Sequence, residues 1–125
     1  MNKPKLPECL LLFRGTEWFK GLSPEEMQTI LKHMNSWVED LAQNGKLKVA
    51  QPLEGTAKIV SGKRGSLVAD GPFPESKEAI GGYFLLQVDS FDEAVKIARK
   101  CPALRYGAEV EVRPIAETAS ISESE

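Results

Sequence analysis

The sequence predicts an α+β domain, because short segments that are apolar at nearly every position alternate with segments of helical periodicity. Residues 9–13 and 83–88 are of the first kind and predict strands that are buried on both faces of a sheet. Ser23 and Ser90 each begin a capping-box pattern, which apolar residues at helical spacing follow. A chain of 125 residues is sized for a single domain, which we assign to residues 1–115.

The first half of the chain predicts a strand, a helix and a further short strand. After the strand CLLLF, the segment Ser23-Pro24-Glu25-Glu26 supplies an N-cap, a proline at the first helical position and a glutamate placed for a capping box. The helix ends at a stop signal, Asn44-Gly45. Residues 46–53 predict a short or edge strand, because Pro52 cannot donate a hydrogen bond to a neighbouring strand.

The second half predicts a hairpin, a central strand, a helix and a last strand. Residues 57–60 and 66–69 flank the loop SGKRG, whose length suits a hairpin. The central strand YFLLQV precedes a helix that begins at Ser90 and ends before Pro102. Residues 108–113, AEVEVR, alternate small or apolar with charged side chains, as a half-buried strand does.

The order of elements, β-α-β-β-β-α-β with the hairpin in the middle, predicts a ferredoxin-like split βαβ arrangement. In this arrangement an antiparallel sheet carries two helices on one face. The first and the central strand are apolar on both faces, so something else must cover the second face of the sheet. A second subunit would do so, and we therefore expect a homodimer.

Composition excludes several classes of protein. Sixteen Lys and Arg against eighteen Asp and Glu give a net charge of −2, without the basic excess typical of nucleic-acid binding. The chain has no apolar run of about 20 residues and no signal peptide, which predicts a cytoplasmic protein without membrane contact. One histidine and two distant cysteines, Cys9 and Cys101, predict buried thiols and no metal site. No nucleotide-cofactor motif occurs, and residues 116–125 predict a disordered acidic tail.

Two residues are candidates for acid/base chemistry. His33 carries the only imidazole and lies on the flank of the apolar stripe of its helix, within reach of Asp40. The alternative is a half-exposed histidine that does no chemistry. Asp70 ends an apolar strand before Gly71 and two nearby prolines, so a rigid turn presents its carboxylate. The alternative for Asp70 is an Asx turn with a purely structural role.

Four further residues are candidates for ligand binding. Arg113 lies in one alternating row with Glu109 and Glu111, so it could bind an anionic substrate or pair with those glutamates. Three others fall at strand ends or in loops, where they line a cavity or serve only packing: Arg14, Tyr83 and Tyr106.

The segment VADGPFPESKE at residues 68–78, followed by GGYF at 81–84, resembles the DGPF-domain branch of the YCII-related family. The resemblance extends from LLLF at 10–13, through SPEEM at 23–27, to VEVRPI at 110–115. It implies a dimeric α+β barrel, with a pocket between sheet and helices near the dimer interface.

The same resemblance implies a site that pairs an aspartate with a histidine. The aspartate corresponds to Asp70, and Arg113 belongs to the closing EVRP motif of the family. His33 lies in the corresponding helix, whereas Tyr106 stands where related chains often have a histidine before glycine. A few relatives are dehydrochlorinases of chlorinated hydroxyaromatics, and others occur beside or fused to sigma factors.

Two functions follow from these residues, and the sequence leaves open whether the protein is an enzyme. The first is a cofactor-independent enzyme for elimination or isomerisation of a small anionic or phenolic substrate. Asp70 would be its general acid/base, His33 would assist, and Arg113 would orient the substrate. The alternative is a non-catalytic module that binds a small molecule or engages a sigma factor.

Overall fold

The computed structural model describes residues 6–116. The strands are β1 (Glu8–Arg14), β2 (Leu47–Pro52), β3 (Lys58–Ser61), β4 (Leu67–Asp70), β5 (Ile80–Gln87) and β6 (Glu109–Pro114). The helices are α1 (Pro24–Gln43) and α2 (Phe91–Ala98), and a 3₁₀ segment at Pro102–Tyr106 leads into β6. The acidic tail predicted at 116–125 lies outside the described residues, apart from its first residue.

Four of the strands form one antiparallel sheet in the order β2-β5-β1-β6. This is the order of a ferredoxin-like split βαβ fold, so the predicted α+β class is confirmed. The other two strands, β3 and β4, pair only with each other in a separate two-stranded sheet. We call residues 58–70 the arm; it is closed at its base by a 2.9 Å hydrogen bond from the Gly71 N–H to the Ala57 carbonyl.

Side chains alternate between the two faces of the large sheet, and both helices pack on one of them. Leu11 and Leu86, from adjacent strands, are completely buried on this face. Helix α1 covers them with Ile30 and Trp37, and α2 contributes Ala94 to the same core. The helices bury only one face because each presents a single apolar stripe to the sheet.

The other face of the sheet, which we call the open face, carries two cross-strand rows of side chains. One row is Val49, Leu85, Leu10 and Arg113; the other is Gln51, Tyr83, Leu12 and Glu111. The apolar members of both rows are only partly buried. The open face therefore has an apolar centre that the chain's own helices leave uncovered.

The two helix starts differ from each other. Before α1, Ser23 and Glu26 form the predicted capping box, with hydrogen bonds of 3.1 and 2.9 Å that satisfy one backbone N–H each. Before α2, the Ser90 hydroxyl accepts from the Glu93 N–H, but the Glu93 carboxylate accepts from the N–H of Asp89 instead of that of Ser90. The second capping box is thus only half formed. The Glu93 carboxylate also binds an ammonium group just before the start of β2.

That ammonium group belongs to Lys46, whose Nζ lies 2.9 Å from the Glu93 carboxylate. The N–H of Asp89 and then this lysine lower the pKa of Glu93. Both thiols, Cys9 and Cys101, are free and buried, and burial raises the pKa of each. In residues 6–116, no helix is both long and apolar enough for a transmembrane span.

Candidate functional site

A cleft of about 640 Å³ opens between α1 and one end of the large sheet. Its floor is made by Phe13 and Phe84, from the paired central strands, and by Gly82. One wall is a stripe of α1 that begins at Leu31 and repeats at helical spacing: Leu31, Met34, Asn35 and Val38. The opposite side is closed by the loop after β1 and by the end of β2: Trp18, Phe19, Ala50, Pro52 and Leu53.

Aromatic packing holds the floor of the cleft in place. The ring of Phe84 lies 4.8 Å from that of Phe13 and 5.2 Å from that of Trp37, which is buried beneath them. Such tilted and edge-to-face pairs stabilise a fixed arrangement of rings. At Gly82, a Cβ atom would lie 3.0 Å from the Gln51 carbonyl oxygen, so the close approach of β2 to β5 favours a residue without a side chain. The floor next to the rings is therefore bare backbone.

The walls of the cleft carry no formal charge at neutral pH. The residues with polar side chains among them are Thr16, Asn35, Gln51 and Tyr83, and the last two turn their side chains to the open face. The Tyr83 hydroxyl donates a 2.6 Å hydrogen bond to the Gln51 side-chain oxygen, which fixes both groups at the edge of the sheet. A ligand in this cleft would meet apolar surface and neutral hydrogen-bonding groups, without a counter-ion.

A smaller polar cavity of about 300 Å³ adjoins the cleft and shares Gly15 and Trp18 with it. Arg14 and Tyr106 line this cavity together with Lys77 and two glutamates. The Lys77 ammonium donates to the Gly107 carbonyl oxygen at 2.9 Å, and the Arg14 Nε donates to the Lys77 carbonyl oxygen at the same distance. Both cations are thus engaged by backbone acceptors from separate loops.

Arg14 also takes part in an ion cluster with Glu111 and Arg113. Its Nη1 lies 2.6 Å from one Glu111 oxygen, and the Arg113 guanidinium lies 3.1 Å from the other. Arg14 first and Arg113 second lower the pKa of Glu111. Of the two readings of Arg113 that the sequence allows, the structure contains the ion pair with a glutamate, which leaves its side chain 66% exposed.

The two residues predicted to carry acid/base chemistry lie outside both cavities. Asp70 ends the arm, where it forms a 2.5 Å ion pair with Lys58 on the facing strand; its side chain is 85% exposed. His33 is exposed on α1, and within residues 6–116 it has no hydrogen bond or ion pair with Asp40. The fold therefore brings Arg14 together with Tyr106 and with Arg113, but it leaves Asp70 and His33 apart from them.

A family model for the YCII-related domain matches residues 11–118, which is most of the chain. The chain belongs to the YCII-related family. This confirms the membership that the DGPF segment predicts. One relative is an uncharacterized protein of Rhizobium meliloti (strain 1021), which is 33% identical over 112 residues that cover 86% of this chain and 90% of that protein.

A solved structure is also similar to this YCII-related protein. It is the 5-chloro-2-hydroxyhydroquinone dehydrochlorinase of Burkholderia phenoliruptrix AC1100, in complex with 2,5-dihydroxybenzoquinone. The alignment covers 90% of this chain and 97% of that one, at 14% identity and a TM-score of 0.44. At that distance the similarity bears on neither the substrate nor the mechanism of this protein.

The side chains of α1 and of the loop after β1 that form the walls of the cleft were not predicted from the sequence as site residues. The pattern that could have found them is the width of the apolar arc on α1. Ile30 and Trp37 form the stripe that faces the core, whereas Leu31, Met34 and Val38 form a second stripe beside it. A helix with an apolar arc wider than one stripe contacts a second surface.

Among residues 6–116, no three His, Cys, Asp or Glu side chains are grouped so that they could hold a metal ion.

Proposed function

We propose that this YCII-related protein binds a small, neutral, largely aromatic molecule in the cleft between α1 and the sheet. The observation that carries the proposal is a cleft of about 640 Å³ whose walls are aromatic and aliphatic and lack a formal charge. Ligand pockets of about 300–1,000 Å³ with mostly apolar walls and a few polar groups are typical of small-molecule sites.

The exposure of the walls supports the same conclusion. Leu31, Leu53 and Phe19 are 54%, 47% and 41% exposed, although they face one another across a concave surface. An aromatic ring bound between them would remove their apolar surface from water, at about 25 cal/mol per Å². A cleft that is open and apolar gains more from an occupant than one that is already filled by its own side chains.

The absence of charge on the walls favours one part of the predicted class of anionic or phenolic ligands. A carboxylate moved into the cleft would lose its hydration and meet no cation, which is costly. A phenol hydroxyl could exchange its water for the side-chain amide of Asn35. The neutral, phenolic part of that class is therefore the better match.

The experiment compares benzyl alcohol with benzoate, two ligands with the same ring and different charge, by thermal shift and calorimetry. Binding to the folded state raises the melting temperature; at a ligand concentration 100 times Kd it stabilises by about 2.7 kcal/mol. We expect benzyl alcohol and phenols to bind, and benzoate to bind at least tenfold more weakly. Equal binding of benzoate, or no binding by any of these ligands, would contradict the proposal.

A matched pair of variants locates the site. Ala50 lines the cleft and is exposed, so Ala50→Leu fills part of the cleft without disturbing the core. Ala42 is exposed on α1 and lines neither cavity, so Ala42→Leu makes the same change elsewhere. Ala50→Leu should weaken binding at least tenfold while Ala42→Leu leaves it unchanged. Equal affinities for the two variants would place the ligand elsewhere.

The enzyme reading of the sequence is a separate proposal, since it needs Asp70 and His33 at the ligand. Both are exposed outside the cleft of their own chain, so we expect Asp70→Asn and His33→Ala to leave ligand affinity unchanged. Mass spectrometry of the incubated ligand tests for turnover. A product that wild type forms and Asp70→Asn does not would establish the acid/base role.

We also propose that the protein is a homodimer that forms through the open face. Leu10, Leu85 and Val49 make an apolar centre there. Ion pairs flank it, Lys48 with Glu8 on one side and the Arg14 cluster on the other. An apolar centre within a charged rim is the usual anatomy of an interface. Sedimentation equilibrium tests this: wild type should dimerise, and Leu85→Lys, which sets a charge in the apolar centre, should be monomeric.

A further inference from the structure

The arm is exposed along its whole length, although four of its side chains are large and apolar. Ile59, Val60, Leu67 and Val68 are 51%, 61%, 61% and 64% exposed. Val60 and Val68 face each other across the strands on one side of the arm, and Ile59 pairs with Ala69 on the other side. The arm thus has an apolar surface on both of its faces.

A two-stranded hairpin with this composition is poorly stable by itself. Isolated hairpins are marginal in water, and contiguous exposed apolar surface marks a site of association. Phe73 follows directly after the arm and is 75% exposed, the highest value among the exposed large apolar side chains of residues 6–116. The surface that needs a partner therefore extends from the arm into the DGPF turn.

We propose that the arm docks on a second copy of this chain, as part of the homodimer proposed above, on which this inference rests. The first argument is continuity. The arm connects the end of β2 to the start of β5, and both strands carry side chains of the open face. A partner seated on the open face would meet the strands from which the arm extends, and two-fold symmetry would place two arms in the same interface.

The second argument is charge complementarity. The arm carries three basic residues, Lys58, Lys63 and Arg64, against the single acidic Asp70. Over the rest of residues 6–116, acidic residues exceed basic ones by three. A basic arm and an acidic body attract each other between two copies, as the partners of a specific complex do.

The two strands of the arm are held together at its base. The strands approach so closely there that a Cβ on Gly71 would lie 2.5 Å from the Ala57 Cβ, and a hydrogen bond joins the same two residues. Lys58 and Asp70 add an ion pair at the same level. Strands that are already paired at the base lower the entropy that docking of the arm would cost.

The test measures the dimer dissociation constant of the full chain by sedimentation equilibrium. The double variant Val60→Ser, Val68→Ser removes the apolar pair from one face of the arm. Its control is Leu104→Ser, which changes a 37% exposed leucine in the 3₁₀ segment away from the arm. We expect a dissociation constant at least tenfold higher for the arm variant, and an unchanged constant for the control.

Hydrogen exchange of the wild-type chain provides a measurement that needs no variant. Amides of residues 58–70 should exchange more slowly above the dissociation constant than below it. If wild type dimerises and the arm variant and the arm amides do not respond, the arm inference fails while the homodimer stands. If wild type is monomeric at every concentration, both fail.

Discussion

Leu85 and Leu86 are consecutive residues of β5 whose side chains point to opposite faces of the sheet, so one substitution made at both positions compares the two faces. Leu86 is completely buried among the core residues, whereas Leu85 lies in the partly buried apolar centre of the open face. For Leu86→Ala we expect a loss of about 3 kcal/mol, because the lost apolar contacts and the remaining cavity add. At roughly 4 °C per kcal/mol for a domain of this size, Tm falls by about 12 °C.

The effect of Leu85→Ala depends on whether a partner covers the open face. In a monomer its side chain is already partly in water, so the substitution costs less than Leu86→Ala, and the cost is the same at every protein concentration. In a dimer the same change also weakens association, and the loss in Tm then varies with protein concentration.

Thermal unfolding of both variants and wild type, at protein concentrations that differ a hundredfold, separates these cases. The Leu86→Ala deficit should be independent of concentration, and that of Leu85→Ala should depend on it. A Leu86→Ala loss below about 1 kcal/mol would refute the assigned packing of β5. A small, concentration-independent loss for Leu85→Ala would refute the covered open face.

Three further outcomes test the local chemistry. Ser23→Ala removes the N-cap of α1 and should cost about 1 kcal/mol, whereas Ser36→Ala on the exposed side of the same helix should be neutral or slightly stabilising in urea unfolding. A backbone N–H and Lys46 lower the pKa of Glu93, so the ionised carboxylate stabilises the folded state. This contribution is complete above the ordinary glutamate pKa of about 4.3 and is lost as pH falls through the lowered pKa. The stability of Glu93→Gln should therefore fall less steeply than that of wild type as the pH is lowered. Cys101, buried and with a raised pKa, should react with a thiol reagent only after unfolding, which a colorimetric assay follows.

Element order and strand positions were predictable because their signals are local. The capping box at Ser23 and the fully apolar segments of β1 and β5 each lie within a few residues. Once the order was known, the fold class followed from the small number of arrangements that the order permits. The half-formed capping box before α2 was not predictable, since Lys46, which competes for Glu93, lies 47 residues away in sequence.

The cleft depends on long-range packing and could not be read in the same way. Its floor joins Phe13 to Phe84, and its two opposite walls include Leu31 and Leu53. Each of these residues resembles an ordinary core residue when only its neighbours in sequence are considered. The exposure that distinguishes them, 54% for Leu31 and 47% for Leu53, exists only after the strands and the helix have been assembled.

The position of Asp70 connects the two proposals. The sequence predicts a rigid turn that presents Asp70, but the strand pairing of the arm continues through Asp70 to Gly71, whose N–H donates to the Ala57 carbonyl. The carboxylate of Asp70 therefore lies at the base of the arm, outside the cleft of its own chain. The walls of that cleft contain no carboxylate, imidazole or amine, so one chain can bind a neutral ligand without a group that exchanges protons with it near neutral pH. Acid/base catalysis in this cleft would therefore need a group from outside its walls, and the arm of a second chain is one element that could bring such a group, Asp70. If Asp70→Asn abolishes turnover, the double variant Val60→Ser, Val68→Ser should reduce turnover in step with the loss of dimer, while the affinity of the cleft for its ligand stays the same.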